Sequence, residues 1–480
     1  MNGIKKILIF ILTAVFVFSA VIPFASYANA ELDEKIEAEA FIVTDASTGQ
    51  ILYAKNHEKA EIPANLTKIM TAAIALEELD LQKEVTVNDS AINSAVVPRD
   101  TMNISLVEGE KITVEALLYA ALIQSANDAA NVLAEAVGGS IESFVKKMNE
   151  KAAAIGCENT SFFNASGLTS DSGQNNVTTA YDMALIMRYA MKNAYFKQII
   201  KQTTYTVPET NKSAARELST SHNLLKKNEY YEYATGGTVG YSKTAKYTAA
   251  TSALNGEREL ICIVLNCPTG EGRFTDTRTL FDYIFSNFEY TTLTQDDINS
   301  KTVDVISEDG TQIVARATLT LPGAITVLLH KDVPRESLII TDTVPESFTA
   351  EATNQSVTVS ANSDLMFSPL ATSYLQASTD ILATPEPVPT GDELTEESKN
   401  SFGSIVLTVL KVLGIIILVI IAGIIILAVY SVIANNKRRK KRRELRRREA
   451  RGEDGVSERD GTESRRRPDN NRRTASGRRK

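Results

Sequence analysis

The sequence predicts an α+β protein, an antiparallel sheet with helices packed on it, and two observations carry that expectation. Strand-like alternation stands near the start and returns after Gly236, whereas the apolar residues between them recur at helical spacing. A third observation sets the scale: 480 residues are too many for one core, so further units should follow the first.

Taken in order, residues 1–30 have Lys5 and Lys6, an apolar run over 7–18 and Ala28-Asn29-Ala30, the pattern of a secretory signal cleaved to leave Glu31 first. Residues 40–52 alternate around Ser47-Thr48-Gly49 and read as a hairpin. Leu66, Ile69, Met70, Ala73 and Leu76 then share one helix face, with Asn65 after Pro63-Ala64 expected as the N-cap. A second helix starts from a Thr113 cap, pauses at Ser125-Ala126-Asn127-Asp128 and resumes from Ala129 to the Gly138-Gly139 stop. Residues 141–155 and 180–193 are amphipathic helices. Residues 247–254, an Asn255-Gly256 turn and residues 259–267 form a late hairpin, and residues 278–288 return to helix. The α+β domain thus spans residues 31–290.

Residues 302–359 alternate at period two, with turns at Asp309-Gly310 and Pro322-Gly323, so a small all-β domain is expected over residues 291–380. A Pro-rich, acidic stalk covers residues 381–411. Residues 412–434 are almost wholly apolar, enough for one transmembrane helix, and are followed by the basic cluster of residues 437–443. Basic flanks stay on the cytoplasmic side, which predicts a single-pass cell-membrane protein with its N-terminal bulk extracytoplasmic.

The formal net charge of -8 conceals an asymmetry, because residues 437–480 carry roughly 20 basic against 8 acidic side chains. That tail, residues 435–480, is expected to be cytoplasmic and disordered; its charge suits anionic lipid, and no nucleic acid is expected. Cys157, Cys262 and Cys267 are an odd set without metal-type pairing. A bridge from Cys157 to Cys262 or Cys267 is compatible with an oxidising compartment, and Cys262 fits a small core residue.

Acyl transfer by a serine needs a hydroxyl beside a base, and Ser and Lys three residues apart at a helix start share one face. Here that site reads Asn65-Leu66-Thr67-Lys68: the lysine is present, the hydroxyl is missing, and Thr67 falls on a different face.

Residues 41–53, Pro63-Ala64-Asn65-Leu66-Thr67-Lys68-Ile69-Met70-Thr71 and Ser125-Ala126-Asn127-Asp128 resemble the serine D-alanyl-D-alanine carboxypeptidases, the low-molecular-weight penicillin-binding proteins. Gly156 to Phe162, Gly167-Leu168 and Thr179-Ala180-Tyr181-Asp182 continue the likeness. The resemblance implies a penicillin-binding, β-lactamase-like transpeptidase fold, with Asn65 at the nucleophile position, Lys68 as general base, Ser125 as proton shuttle and Asn127 positioning substrate. It also implies a Lys-Thr-Gly strand for the substrate carboxylate, where Thr238-Val239-Gly240 stand instead. Lys243-Thr244-Ala245 would serve only by slipping residues 247–254 by five positions, an odd shift that turns the buried face outward. Asn176 stands where the family commonly has histidine.

The expected function is a catalytically impaired carboxypeptidase homologue of peptidoglycan metabolism that binds stem peptide ending in D-Ala-D-Ala, or a cell-wall enzyme. The alternatives are carboxypeptidase action through an atypical site, with Lys243 supplying the cation, and a structural or signalling envelope protein. No metal or other cofactor is implied.

Overall fold

A computed structural model describes residues 30–381, apart from 170–173, 227–228, 299 and 350. The expected export signal, the expected stalk past Ile381, the expected span at 412–434 and the basic tail lie outside the described residues. Among the described residues no helix is long and apolar enough to cross a membrane.

Five strands make the central sheet: β1 (Ala40–Asp45), β2 (Ile51–Lys55), β3 (Ala234–Ser242), β4 (Lys246–Asn255) and β5 (Arg258–Cys267), in the order β2-β1-β5-β4-β3 and antiparallel throughout. Their alternation divides two cores. Ala40 and Ile42 of β1 and Ile261, Ile263 and Leu265 of β5 face one of them; Phe41, Val43, Leu260, Cys262 and Val264 face the other. Because both faces are covered, β1 and β5 are apolar at nearly every position rather than at every second one.

The first core is closed by α1 (Thr67–Glu78), α2 (Val114–Leu122), α3 (Asn127–Gly138), α4 (Ile141–Ala154), α5 (Ala180–Met191) and α6 (Ala194–Lys201). Their starts obey local chemistry: Thr113, Ser140, Thr179 and Asn193 each accept a backbone N–H of the first turn, and Gly139 ends α3 in the left-handed region. Helix α6 was not anticipated; its 8 residues, with Phe196, Ile199 and Ile200 buried, are too few for the periodicity to stand out in the sequence.

The second core is closed by α7 (Gly272–Asn287) and by the strands that follow it. This helix starts six residues before the expected one. Its first two turns bury Arg273, Asp276 and Thr277, polar residues that no apolar periodicity marks. Asp276 accepts the Glu37 and Ala38 N–H groups at 3.1 and 2.9 Å and ties the helix to the chain before β1.

Strand β6 (Phe288–Leu293) pairs with β9 (Ile325–His330), while β7 (Lys301–Ile306), β8 (Ile313–Thr320), β10 (Leu338–Asp342), β11 (Ser347–Thr349), β12 (Gln355–Ala361) and β13 (Ala371–Ile381) form a six-stranded sheet in the order β10-β12-β13-β8-β7-β11. These strands belong to the same compact unit as the α+β part and share its second core. Buried Gln50 fastens the two together: its Nε2 donates to the Leu328 carbonyl and its Oε1 accepts the Leu328 N–H, both at 2.7 Å. The three cysteines are free and buried, so none of the bridges considered above is formed.

Gln50→Leu should therefore leave both Leu328 backbone groups without partners in a buried place and cost about 1–3 kcal/mol. Urea unfolding of the two proteins measures it, and an unchanged midpoint would show that water replaces the amide at no cost.

Candidate active site

The chain enters α1 through a short 3-10 turn, Ala64–Leu66, preceded by Pro63. Asn65 lies inside this turn and caps nothing; α1 is preceded by Leu66 without a side-chain cap. The N-cap expected of Asn65 is thus corrected, for a tertiary reason. Its Oδ1 accepts a hydrogen bond from Lys68 Nζ at 3.0 Å instead of one from a backbone N–H.

Lys68 is completely buried, and its Nζ also donates to Asn127 Oδ1 at 2.7 Å and to the Ser166 carbonyl at 2.6 Å. Three segments therefore meet on one nitrogen: the turn before α1, the first residue of α3 and the loop around Ser166. Burial pushes the Lys68 ammonium down to about 7, and the nearby Asp128 carboxylate works against that shift. An ammonium satisfies three oxygens; a neutral amine has two protons and a lone pair, which either carboxamide can meet by presenting its NH2. Asp128 is itself held by the Ile104, Leu106 and Ala129 N–H groups, and burial raises its pKa.

Close approach is what assembles the site. Gly167, at φ +79°, faces the Ala64 carbonyl so closely that an added Cβ would lie 1.8 Å from its oxygen. On the other side a Cβ on Gly240 of β3 would lie 2.9 Å from the Asn65 nitrogen. Ala64 and Ser125 have φ of +50° and +58°, a region costly for residues with a Cβ, at the turn and just before α3.

The remaining expected residues are near but inward. The Ser125 hydroxyl donates to the Val239 carbonyl at 3.4 Å, and the Thr238 hydroxyl to the Leu122 carbonyl at 3.4 Å. Thr238, Val239 and Gly240 lie within β3 opposite Ala250, Ala249 and Thr248, and Lys243 lies in the turn to β4. Thr67 is buried and its hydroxyl accepts from Asn176 Nδ2 at 2.9 Å, away from Lys68. Asn176 thereby acquires a place: it also receives the Phe163 and Asn164 N–H groups on Oδ1 and organises the loop that supplies Ser166.

Sequence reasoning missed Arg273. Its Nη1 donates to the carbonyls of Gly240 at 2.8 Å and Thr248 at 3.3 Å, and its guanidinium lies against Tyr247 and Phe274. Burial lowers its pKa to about 10. The only clue was Gly272-Arg273-Phe274 ahead of an apolar helix.

A cavity of about 730 Å³ opens over this floor, lined among others by Asn65, Asn127, Asn164, Ser166, Tyr241 and Lys243. Among the described residues no group of His, Cys, Asp or Glu side chains could hold a metal ion.

A helix-covered antiparallel sheet with a cleft between its edge strand and the head of a long helix defines the DD-peptidase class of penicillin-binding fold. It is shared with penicillin-binding protein 5 of Haemophilus influenzae at a TM-score of 0.59 and 22% identity, covering 72% of this chain and 98% of that one. The chain belongs to the D-alanyl-D-alanine carboxypeptidase family of Peptidase_S11, whose pattern matches residues 26–269. The D-alanyl-D-alanine carboxypeptidase DacB2 of Mycobacterium tuberculosis is 34% identical over 252 residues, 52% of this chain and 82% of its own. DacF of Bacillus subtilis, also a D-alanyl-D-alanine carboxypeptidase, is 34% identical over 257 residues, and the chain covers 63% of its length, less than two thirds.

The Lys68 shift has a sign. In the unfolded chain a lysine titrates near about 10.4, so between about 7 and about 10 the unfolded state binds more protons and stability rises with pH. Below that window both states are protonated and the burial penalty stands in full. Compared with Lys68→Met, the natural protein should gain stability from pH 7 to 10, at no more than about 1.4 kcal/mol per unit. Urea unfolding of both across that range checks it, and a flat difference would mean that the three oxygens keep the lysine charged.

Proposed function

We propose that this chain is a membrane-anchored, extracytoplasmic member of the family that binds the D-Ala-D-Ala end of peptidoglycan stem peptides, or a cell-wall enzyme that handles them, without acyl transfer. The observation that carries this reading is the Asn65 carboxamide bonded to Lys68 where the family's serine would stand. A carboxamide cannot form the ester intermediate, and Thr67 is turned away and tied to Asn176. Removing the nucleophile from a coupled serine site costs on the order of a million-fold in rate.

In this reading Lys68, Ser125 and Asn127 occupy the general-base, proton-shuttle and substrate-positioning places. Thr238-Val239-Gly240 form the substrate strand without its cation. Strands from residues 291–380 act as an all-β domain between the cleft and a stalk, and residues 412–434 span the membrane with the basic tail inside. The retained frame with a changed reactive atom favours binding over a purely structural role.

The test is incubation of the full-length protein with a fluorescent penicillin. No covalent adduct is expected, and Asn65→Ser combined with Thr238→Lys and Val239→Thr should recover measurable acylation. A stable adduct on the natural protein, or D-alanine release from a pentapeptide that Lys68→Ala abolishes, would instead establish an active enzyme with an atypical site.

A further inference from the structure

We infer that a second cavity, at the seam between the α+β part and the strands that follow it, binds a small organic cation of the alkyldiamine class, an aliphatic chain with a primary ammonium at each end. It shares no lining residue with the cleft above Lys68, so it stands apart from the reading of that cleft.

The cavity, of about 520 Å³, lies between the loop after β2, the loop after α4, the head of α5 and the segment joining β12 to β13. Its charge has one sign. Glu58, Glu158 and Asp182 line it, and among the described residues no Lys or Arg does. Glu58 and Glu158 are exposed and, among the described residues, neither makes an ion pair; the adjacent Lys59 is engaged by Glu39 at 2.8 Å and Glu61 at 3.1 Å. Carboxylates gathered without a cation repel one another, and a positively charged ligand relieves that repulsion.

Asp182 adds an unmet acceptor. It is fully buried, and its Oδ2 accepts the Asn159 N–H at 2.8 Å and the Thr160 hydroxyl at 2.7 Å. Its Oδ1 has no hydrogen-bond partner among the described residues. A buried oxygen left in that state is costly, and an N–H donor held in the cavity that Asp182 lines would meet it.

The walls select the kind of cation. The His57 ring meets the Tyr181 ring edge to face at 6.4 Å and the Phe367 ring at 5.9 Å, so half-buried rings from three segments stand together in the lining. Such rings offer apolar surface to methylenes and π faces to an ammonium. Among the described residues no group of His, Cys, Asp or Glu side chains could hold a metal ion, so the negative charge is spread too widely for one inorganic ion. A flexible chain charged at both ends can reach across it.

The experiment is isothermal titration of the full-length chain in detergent micelles with cadaverine, with 1-pentanol as the uncharged control and N-acetyl-lysine amide as a second ammonium source. Cadaverine should bind saturably at one site, and pentanol should not bind. Glu58→Gln combined with Glu158→Gln, both exposed and neutral to the fold, should weaken cadaverine at least about fivefold. Phe367→Leu, which keeps bulk and removes the ring, should weaken it about two- to fivefold. Binding of the lysine amide as well would assign the ammonium to a peptide side chain, and binding of cadaverine alone to a free diamine. Absence of saturable binding, equal binding of pentanol, or an affinity unmoved by the double variant overturns the inference and leaves the reading of the cleft untouched.

Discussion

The rest of the site depends on one buried nitrogen. Lys68 has its ammonium at the meeting point of the turn before α1, the start of α3 and the loop at Ser166. A buried amine is tolerable only when its protons are fully accepted, so the three oxygens must keep their places together. That requirement explains the neighbouring backbone. Gly167 lets the loop reach the Ala64 carbonyl, Gly240 lets β3 close on Asn65, and Ala64 and Ser125 hold left-handed conformations that each cost about 1–3 kcal/mol in isolation.

The sheet and most of the helices were legible because they follow from burial. Strand β5 is apolar on both faces, β4 and β5 flank an Asn255-Gly256 turn, and α1 to α5 show their apolar stripes directly, α2 with its Thr113 cap. What escaped notice was polar and buried. Arg273, Asp276 and Thr277 open α7 yet interrupt its periodicity, because Arg273 and Asp276 answer backbone or ring partners distant in sequence and Thr277 turns its hydroxyl back onto the Arg273 carbonyl. Strand β13 interleaves Thr, Ser, Gln and Asp with few large apolar residues, and its regularity comes from pairing with β8 and β12.

The candidate site was legible in composition and misjudged in geometry. Asn65 obeys the statistics of an N-cap, but a lysine amine three residues on outcompetes the backbone for its oxygen, since a charge-assisted bond is stronger than a neutral one. Thr238 and Val239 were expected at a substrate-facing edge, whereas both are buried against Leu122 and Ser125. Spacing gives the residues that can meet; only packing decides which atoms do.

The same geometry shows what the frame requires at positions 65 and 238. At position 65 the frame needs an oxygen that accepts from Lys68, and a carboxamide supplies one as readily as a hydroxyl does, although only the hydroxyl can become an acyl ester. At position 238 the side chain sits beneath the end of α2, and the threonine there reaches the Leu122 carbonyl. Both side chains therefore meet what packing asks of these two positions. Lys68 is the opposite case: with Asn65, Asn127 and Ser166 all built around its amine, its removal would strand acceptors on three segments, so the frame retains the lysine whether or not anything remains for it to activate.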